Sequence, residues 1–82
     1  MDILPVHHEI IEYLKIHRLE KKFYKQLEFL KSNLRHPGLN VELLESRHLK
    51  FYSFRIDRRY RAIFIFHKFG LVEILDVNDH YR

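Results

Sequence analysis

The chain has no cysteine, no tryptophan, two glycines and two prolines among 82 residues. Without cysteine there is no disulfide framework and no thiolate metal site, so nothing points to an oxidising compartment. Two glycines supply no glycine-rich phosphate loop. No apolar run approaches the ~20 residues that span a bilayer, and the first residues lack a signal-peptide pattern, so a cytoplasmic protein with no membrane partner is expected. There is no internal repeat and no low-complexity segment. What is present is 46% hydrophobic and 15% aromatic residues, enough to bury a core and to exclude intrinsic disorder. Residues 1–82 are expected to make a single domain, because either half alone is below the size that holds a core.

The net charge is +4, from fifteen Lys and Arg against eleven Asp and Glu. A mild excess of this kind suits a polyanionic partner. Its distribution says more than its total. Between positions 47 and 61, Arg47, Lys50, Arg55, Arg58, Arg59 and Arg61 face Asp57 alone. Arginine dominates this stretch, and its planar donor fork suits phosphate in a way lysine does not.

Residues 2–6 read as a short extended lead-in stopped near Pro5. Over 7–16, Ile10, Ile11, Tyr13 and Leu14 fall at helical spacing. Leu19, Phe23, Leu27, Leu30 and Leu34 form a longer apolar stripe, with lysines and Glu28 on the other faces. His36-Pro37-Gly38 breaks that helix. The remainder switches to period two over 51–57, 60–67 and 71–78, with Lys68-Phe69-Gly70 as a turn. Two helices followed by an antiparallel meander make an α+β domain.

Strand parity determines which residues meet. A three-residue loop at 58–60 sets Asp57 opposite Arg61, Arg55 opposite Ile63 and Phe54 opposite Phe64. One face is then wholly apolar: Tyr52, Phe54, Ile56, Ala62, Phe64 and Phe66. The other carries Ser53, Arg55, Asp57, Arg61, Ile63, Ile65 and His67. A one-residue slip would bury Arg61 in the core at a cost of several kcal/mol. This loop needs a positive φ at a non-glycine residue. In the next hairpin Ile65 faces Glu73 and Arg61 faces Val77. Arg55, Arg61 and the pair His80-Tyr81 therefore converge from three segments.

Two readings of that convergence stand side by side. In one, Asp57 is simply the cross-strand counter-ion of Arg61. In the other, the arginines clamp phosphate and His80 exchanges a proton near neutral pH. Cleavage of RNA needs a base for the ribose 2′-OH, a cation for the phosphorane and an acid for the leaving oxygen. RNA supplies its own nucleophile, so no metal or cofactor is required. The histidines show no metal-ligand spacing, and His17, His36, His48 and His67 read as surface or loop residues. Tyr81 can stack on a base or pack at the sheet edge.

Three segments carry a family resemblance: Arg35-His36-Pro37-Gly38-Leu39-Asn40-Val41-Glu42, Tyr52-Ser53-Phe54-Arg55-Ile56-Asp57-Arg58-Arg59-Tyr60-Arg61-Ala62-Ile63, and Ile74-Leu75-Asp76-Val77-Asn78-Asp79-His80-Tyr81-Arg82. From Leu19 onward the chain resembles the RelE/ParE superfamily of toxin–antitoxin toxins. That resemblance implies a RelE-like fold, with an N-terminal strand and a helical hairpin on a curved antiparallel sheet. It implies a ribosome-dependent endoribonuclease that cuts mRNA and is held inactive by a cognate antitoxin. Operator DNA would be reached only through that antitoxin.

By position, Arg61 matches the arginine that stabilises the scissile phosphate, and Arg55 a basic residue on the preceding strand. His80 and Tyr81 resemble the His-Tyr pair of one ribosome-dependent subgroup, and Glu42 stands where that subgroup has a carboxylate. Ser53 replaces a lysine used by another subgroup, so that subgroup's lysine-rich mechanism does not transfer. Arg47, Lys50, Arg58 and Arg59 are expected to dock on RNA phosphates. Two alternatives remain open: a ParE-type inhibitor of DNA gyrase, and a non-catalytic member acting only as an antitoxin-binding or repressor subunit.

Overall fold

Apolar spacing builds the helical half of the molecule. A computed structural model of the chain describes residues 1–44 and 50–80. Helix α1 (His8–Ile16) buries Ile10 and Leu14, which lie one turn apart on a single face. Helix α2 (Glu20–Ser32) buries Phe23, Leu27 and Leu30. The turn between them is a Schellman motif: the Arg18 N–H donates to the Lys15 carbonyl at 3.1 Å and the Leu19 N–H to the Leu14 carbonyl at 2.8 Å. Arg18 takes φ 56° to allow this. Leu19 and Leu14 close the motif inside the core.

The stripe expected over 19–34 is therefore helical over a shorter span, and Leu34 packs on the core from beyond the helix end. A 3-10 turn at Pro37–Leu39 follows, where His36 Nδ1 accepts the Gly38 N–H at 3.1 Å and Leu39 becomes fully buried.

Five strands form one sheet in the order β1-β5-β4-β3-β2. They are β1 (Asp2–Ile3), β2 (Glu42–Leu44), β3 (Phe51–Arg55), β4 (Arg61–Phe66) and β5 (Leu71–Asn78). The β1–β5 pair is parallel and the other three pairs are antiparallel. The α+β architecture is as expected, with β2 as an addition; three residues, Glu-Leu-Leu, are too few to show alternation. Phe54, Ala62, Phe64, Val72, Ile74 and Val77 are buried in one cluster with the helix residues Leu14, Phe23 and Leu30. The apolar face runs out toward Phe66, which is 37% exposed.

The expected faces are correct and the expected partners across β3 and β4 are not. Arg55 pairs with Arg61, Phe54 with Ala62, Ser53 with Ile63 and Tyr52 with Phe64. The turn closes one residue earlier than expected, which shifts the register by two and preserves parity. Asp57 is the cause. Its Oδ1 accepts the N–H groups of Arg59 and Tyr60, each at 2.9 Å, while the Ile56 and Asp57 N–H groups donate to the Tyr60 carbonyl. Positive φ is confined, among the described non-glycine residues, to Arg18, Asn40 and Phe69, so this turn needs none. Asp57 is thus a turn-forming residue, with Lys22 Nζ 3.7 Å from its other oxygen, and not the cross-strand counter-ion of Arg61.

The second hairpin keeps its expected turn and the Ile65–Glu73 pair. A register shift between Ile63 and Phe64 then moves Arg61 opposite Asn78 in place of Val77. This irregularity lets β5 bury Val72, Ile74 and Val77, a spacing of two followed by three.

Candidate functional site

Two rows of residues on the sheet face away from the helices define the site. The first row is Arg55, Arg61 and Asn78 on β3, β4 and β5. The second is Glu42, Ser53, Ile63 and Asp76, one step further along the strands. Glu42 therefore lies directly opposite Ser53, and Ser53 holds Arg61: Arg61 Nε donates to the Ser53 hydroxyl at 2.9 Å, in the buried layer of the sheet. Arg61 Nη2 donates to the Ser53 carbonyl at 3.3 Å and also to the Asn40 carbonyl.

These bonds explain how an arginine with 7% exposure is accommodated within the sheet. Ser53 is fully buried and Asn40 holds a left-handed conformation, φ 48° and ψ 54°, which asparagine tolerates better than most residues. Gln26 of α2 secures both flanks, since its Nε2 donates to the Gly38 carbonyl at 2.9 Å and to the Arg55 carbonyl at 2.7 Å. One helix side chain thus ties the 3-10 turn before Asn40 to the end of β3. Arg55 itself is exposed, and so is Glu42.

Beyond β5, the His80 N–H donates to Asn78 Oδ1 at 3.1 Å, so His80 follows closely on the residue opposite Arg61. Asn78 Nδ2 donates to Asp76 Oδ2 at 2.8 Å. Arg59 Nη2 lies 3.5 Å from Asp79 Oδ2. Tyr13, His17 and Tyr60 group nearby, the Tyr60 hydroxyl and His17 Nδ1 sharing a 3.2 Å hydrogen bond. Burial pushes the Tyr13 hydroxyl above its usual pKa, and Tyr60, Asp79 and Asp76 add in the same direction.

The expected site residues divide. Arg55, Arg61 and Glu42 share one face, with His80 just past the end of β5. Tyr81 and Arg47 lie outside the described residues. Arg58 and Arg59 line a cleft of about 550 Å³ with Lys22 and Asp57, at the turn end of β3 and β4. Lys50 lines a different cleft, of about 330 Å³, with Tyr52, Ile65, Phe66 and His67. It precedes β3, roughly 16 Å along the strand from Arg55 at ~3.3 Å per residue.

Ser53, Asn40, Gln26 and Asn78 were missed as site residues. Ser53 had two signals: parity sets it on the face of Arg61, and by resemblance it stands where another subgroup has a lysine. The other three act through carbonyls or turns that composition and periodicity do not reveal. His67, expected as a surface or loop residue, shares a defined role with His7: His7 Nε2 and His67 Nε2 each donate to a Glu73 oxygen at 2.7 Å. Those two hydrogen bonds hold the Glu73 carboxyl below its usual pKa.

A short N-terminal strand, two helices and a sheet carrying its arginines on the outer face make up an α+β fold that has a counterpart among solved structures. Among solved structures, the chain is similar to the YoeB dimer from Staphylococcus aureus, with a TM-score of 0.68 and 22% identity over 98% of this chain and 94% of that one. At that identity the likeness is one of fold. No protein-family model and no curated protein matches the chain. No helix among the described residues is long and apolar enough to cross a membrane.

Proposed function

We propose that the protein is the toxin of a toxin–antitoxin pair and that it cuts mRNA on the ribosome. The observation that carries this reading is the shared face of Arg55, Arg61 and Glu42, with His80 following the residue opposite Arg61, in a fold like that of YoeB. In the reaction, a base takes the proton of the ribose 2′-OH and that oxygen bonds to the adjacent phosphorus. The bond from phosphorus to the 5′ oxygen breaks, and an acid protonates the leaving oxygen. The products are a 2′,3′-cyclic phosphate and a 5′-hydroxyl.

Arg61 and Arg55 neutralise the charge that gathers on the phosphorane oxygens. Arg61 suits this because its Nε and Nη2 are already oriented by Ser53 and Asn40, so little reorganisation is required. His80 transfers a proton as acid or base, Glu42 is the candidate partner base, and Tyr81 positions the nucleotide. Lys50, Arg58 and Arg47 contact ribosomal RNA phosphates without reading sequence. The cognate antitoxin covers the helices and sheet with a helix or an extended segment, and operator DNA is reached through it. The setting is the cytoplasm, and residues 1–82 act as one domain.

Induction of the wild type and of the Arg61→Ala/His80→Ala variant in cells, followed by mapping of mRNA 5′ ends, tests this. Wild type is expected to arrest growth with cuts inside translated frames, and the variant to do neither. Wild-type arrest with DNA damage and uncut mRNA would transfer the protein to the gyrase-inhibitor class. Harmlessness of both proteins would favour a binding subunit.

A further inference from the structure

Asp79 and His80 lie beyond the last strand pair, and each has a contact that holds it. On its own strand, Asn78 forms an Asx turn by accepting the His80 N–H, and its amide is fixed in turn by Asp76. From the neighbouring hairpin, Arg59 reaches Asp79, the residue between them. Arg59 is itself part of a turn made rigid by Asp57, and its guanidinium carbon lies 5.8 Å from the centre of the Tyr60 ring. That turn also joins the two strands that carry Arg55 and Arg61.

We propose that Asn78, Asp79 and Arg59 are positioning residues that hold His80 in place relative to Arg61, and that Arg59 acts through Asp79 and not as an RNA contact. This rests on the reading of His80 as a proton-transfer group. A proton donor or acceptor contributes only when it is held near the reacting oxygen, and small misplacements are expensive. The Asx turn sets the backbone direction at His80. The Arg59–Asp79 pair ties that backbone to the hairpin that presents the phosphate arginines. Arg59 is therefore distinguished from Arg58, which shares the turn and the cleft and has no such link to the chain end among the described residues.

The test is single-turnover cleavage of mRNA on ribosomes by the full chain, read as a saturating rate and a half-saturating protein concentration. Arg59→Asp sets two carboxylates against each other and is expected to lower the saturating rate about tenfold, with half-saturation unchanged. The exchanged pair Arg59→Asp/Asp79→Arg is expected to recover most of that rate. Asn78→Ala removes the acceptor of the His80 N–H together with the hydrogen bond to Asp76, and is expected to lower the rate about 3- to 10-fold, again without moving half-saturation.

A rise in half-saturation for Arg59→Asp at full rate, with no recovery in the exchanged pair, makes Arg59 an RNA contact and overturns the proposal. His80→Ala is the reference. If it is slow while the positioning variants run at the wild-type rate, the proposal fails and the site stands. If His80→Ala itself cleaves at the wild-type rate, the reading of His80 fails and the proposal falls with it.

Discussion

Arg61 donates from Nε to the hydroxyl of Ser53 across the β3–β4 pair at 2.9 Å, and both side chains are buried. The bond is between diagonal neighbours, since Ser53 pairs with Ile63 and Arg61 with Arg55. Its consequence is that a cation is oriented by the sheet itself, ahead of any substrate.

Ser53→Ala leaves Arg61 in place and removes that acceptor. A buried donor without its partner costs about 1–3 kcal/mol, so the urea midpoint is expected to fall accordingly. The same variant is expected to lose cleavage beyond what stability explains, measured at a temperature where both proteins are fully folded. An unchanged urea midpoint would show that the hydroxyl does not hold the guanidinium.

The two faces of the β3–β4 hairpin were legible because side chains alternate with period two, and any even shift of register preserves them. Which residue opposes Arg61 was not, because it depends on where Asp57 closes the turn. The register shift beside Phe64 was equally hidden, and it decides whether Val77 or Asn78 stands opposite Arg61. Strand β1 is two residues long, and its parallel pairing with β5 depends on a distant segment. Arg55 and Arg61 could be singled out from the density of arginine and from family likeness. Ser53, Asn40 and Asn78 work through hydrogen bonds that exist only once the register is set. Lys50, adjacent to the same basic stretch in sequence, lies at the far end of β3, because a strand separates what the chain places close together.

Arg18 occupies the left-handed position of the Schellman motif, where a side chain is strained and glycine is not. The hydrogen bonds of the motif come from the backbone N–H groups of Arg18 and Leu19, so the Arg18 side chain contributes little to the turn. Arg18→Gly is expected to raise stability by about 0.5–1 kcal/mol, the relief of strain outweighing the added freedom of the unfolded chain. Thermal unfolding with the cleavage assay as control checks this, and a lower melting temperature would contradict it.

Glu73 accepts from His7 and His67 at once, joining the start of α1 to the β4–β5 hairpin. Its folded-state pKa is lowered, so the stabilisation is complete above the unfolded value and is lost as pH falls through the folded one. Glu73→Gln is therefore expected to be less stable than wild type at neutral pH, with the gap closing as the medium is taken down through and below the ordinary carboxylate range. Melting temperatures of the two proteins across that range provide the measurement. A gap that stays constant in acid would mean that the carboxylate charge is not the cause.

Arg58 stands beside Arg59 in the same turn, exposed and lining the cleft with Lys22 and Asp57. Asp57 faces Lys22 and spends its other oxygen on the turn, so Arg58 is the cation here best placed to meet an RNA phosphate. A phosphate contact reveals itself through salt, because each one releases about 0.7–0.9 of a counterion on binding. Arg58→Ala is expected to weaken ribosome binding severalfold and to flatten the slope of log affinity against log salt by close to one unit, leaving the saturating cleavage rate alone. Arg59→Ala is expected to behave in the opposite way, slowing cleavage while keeping the salt slope. Titration of both variants at several salt concentrations separates the two adjacent arginines, and a shared response would mean that they serve the same role.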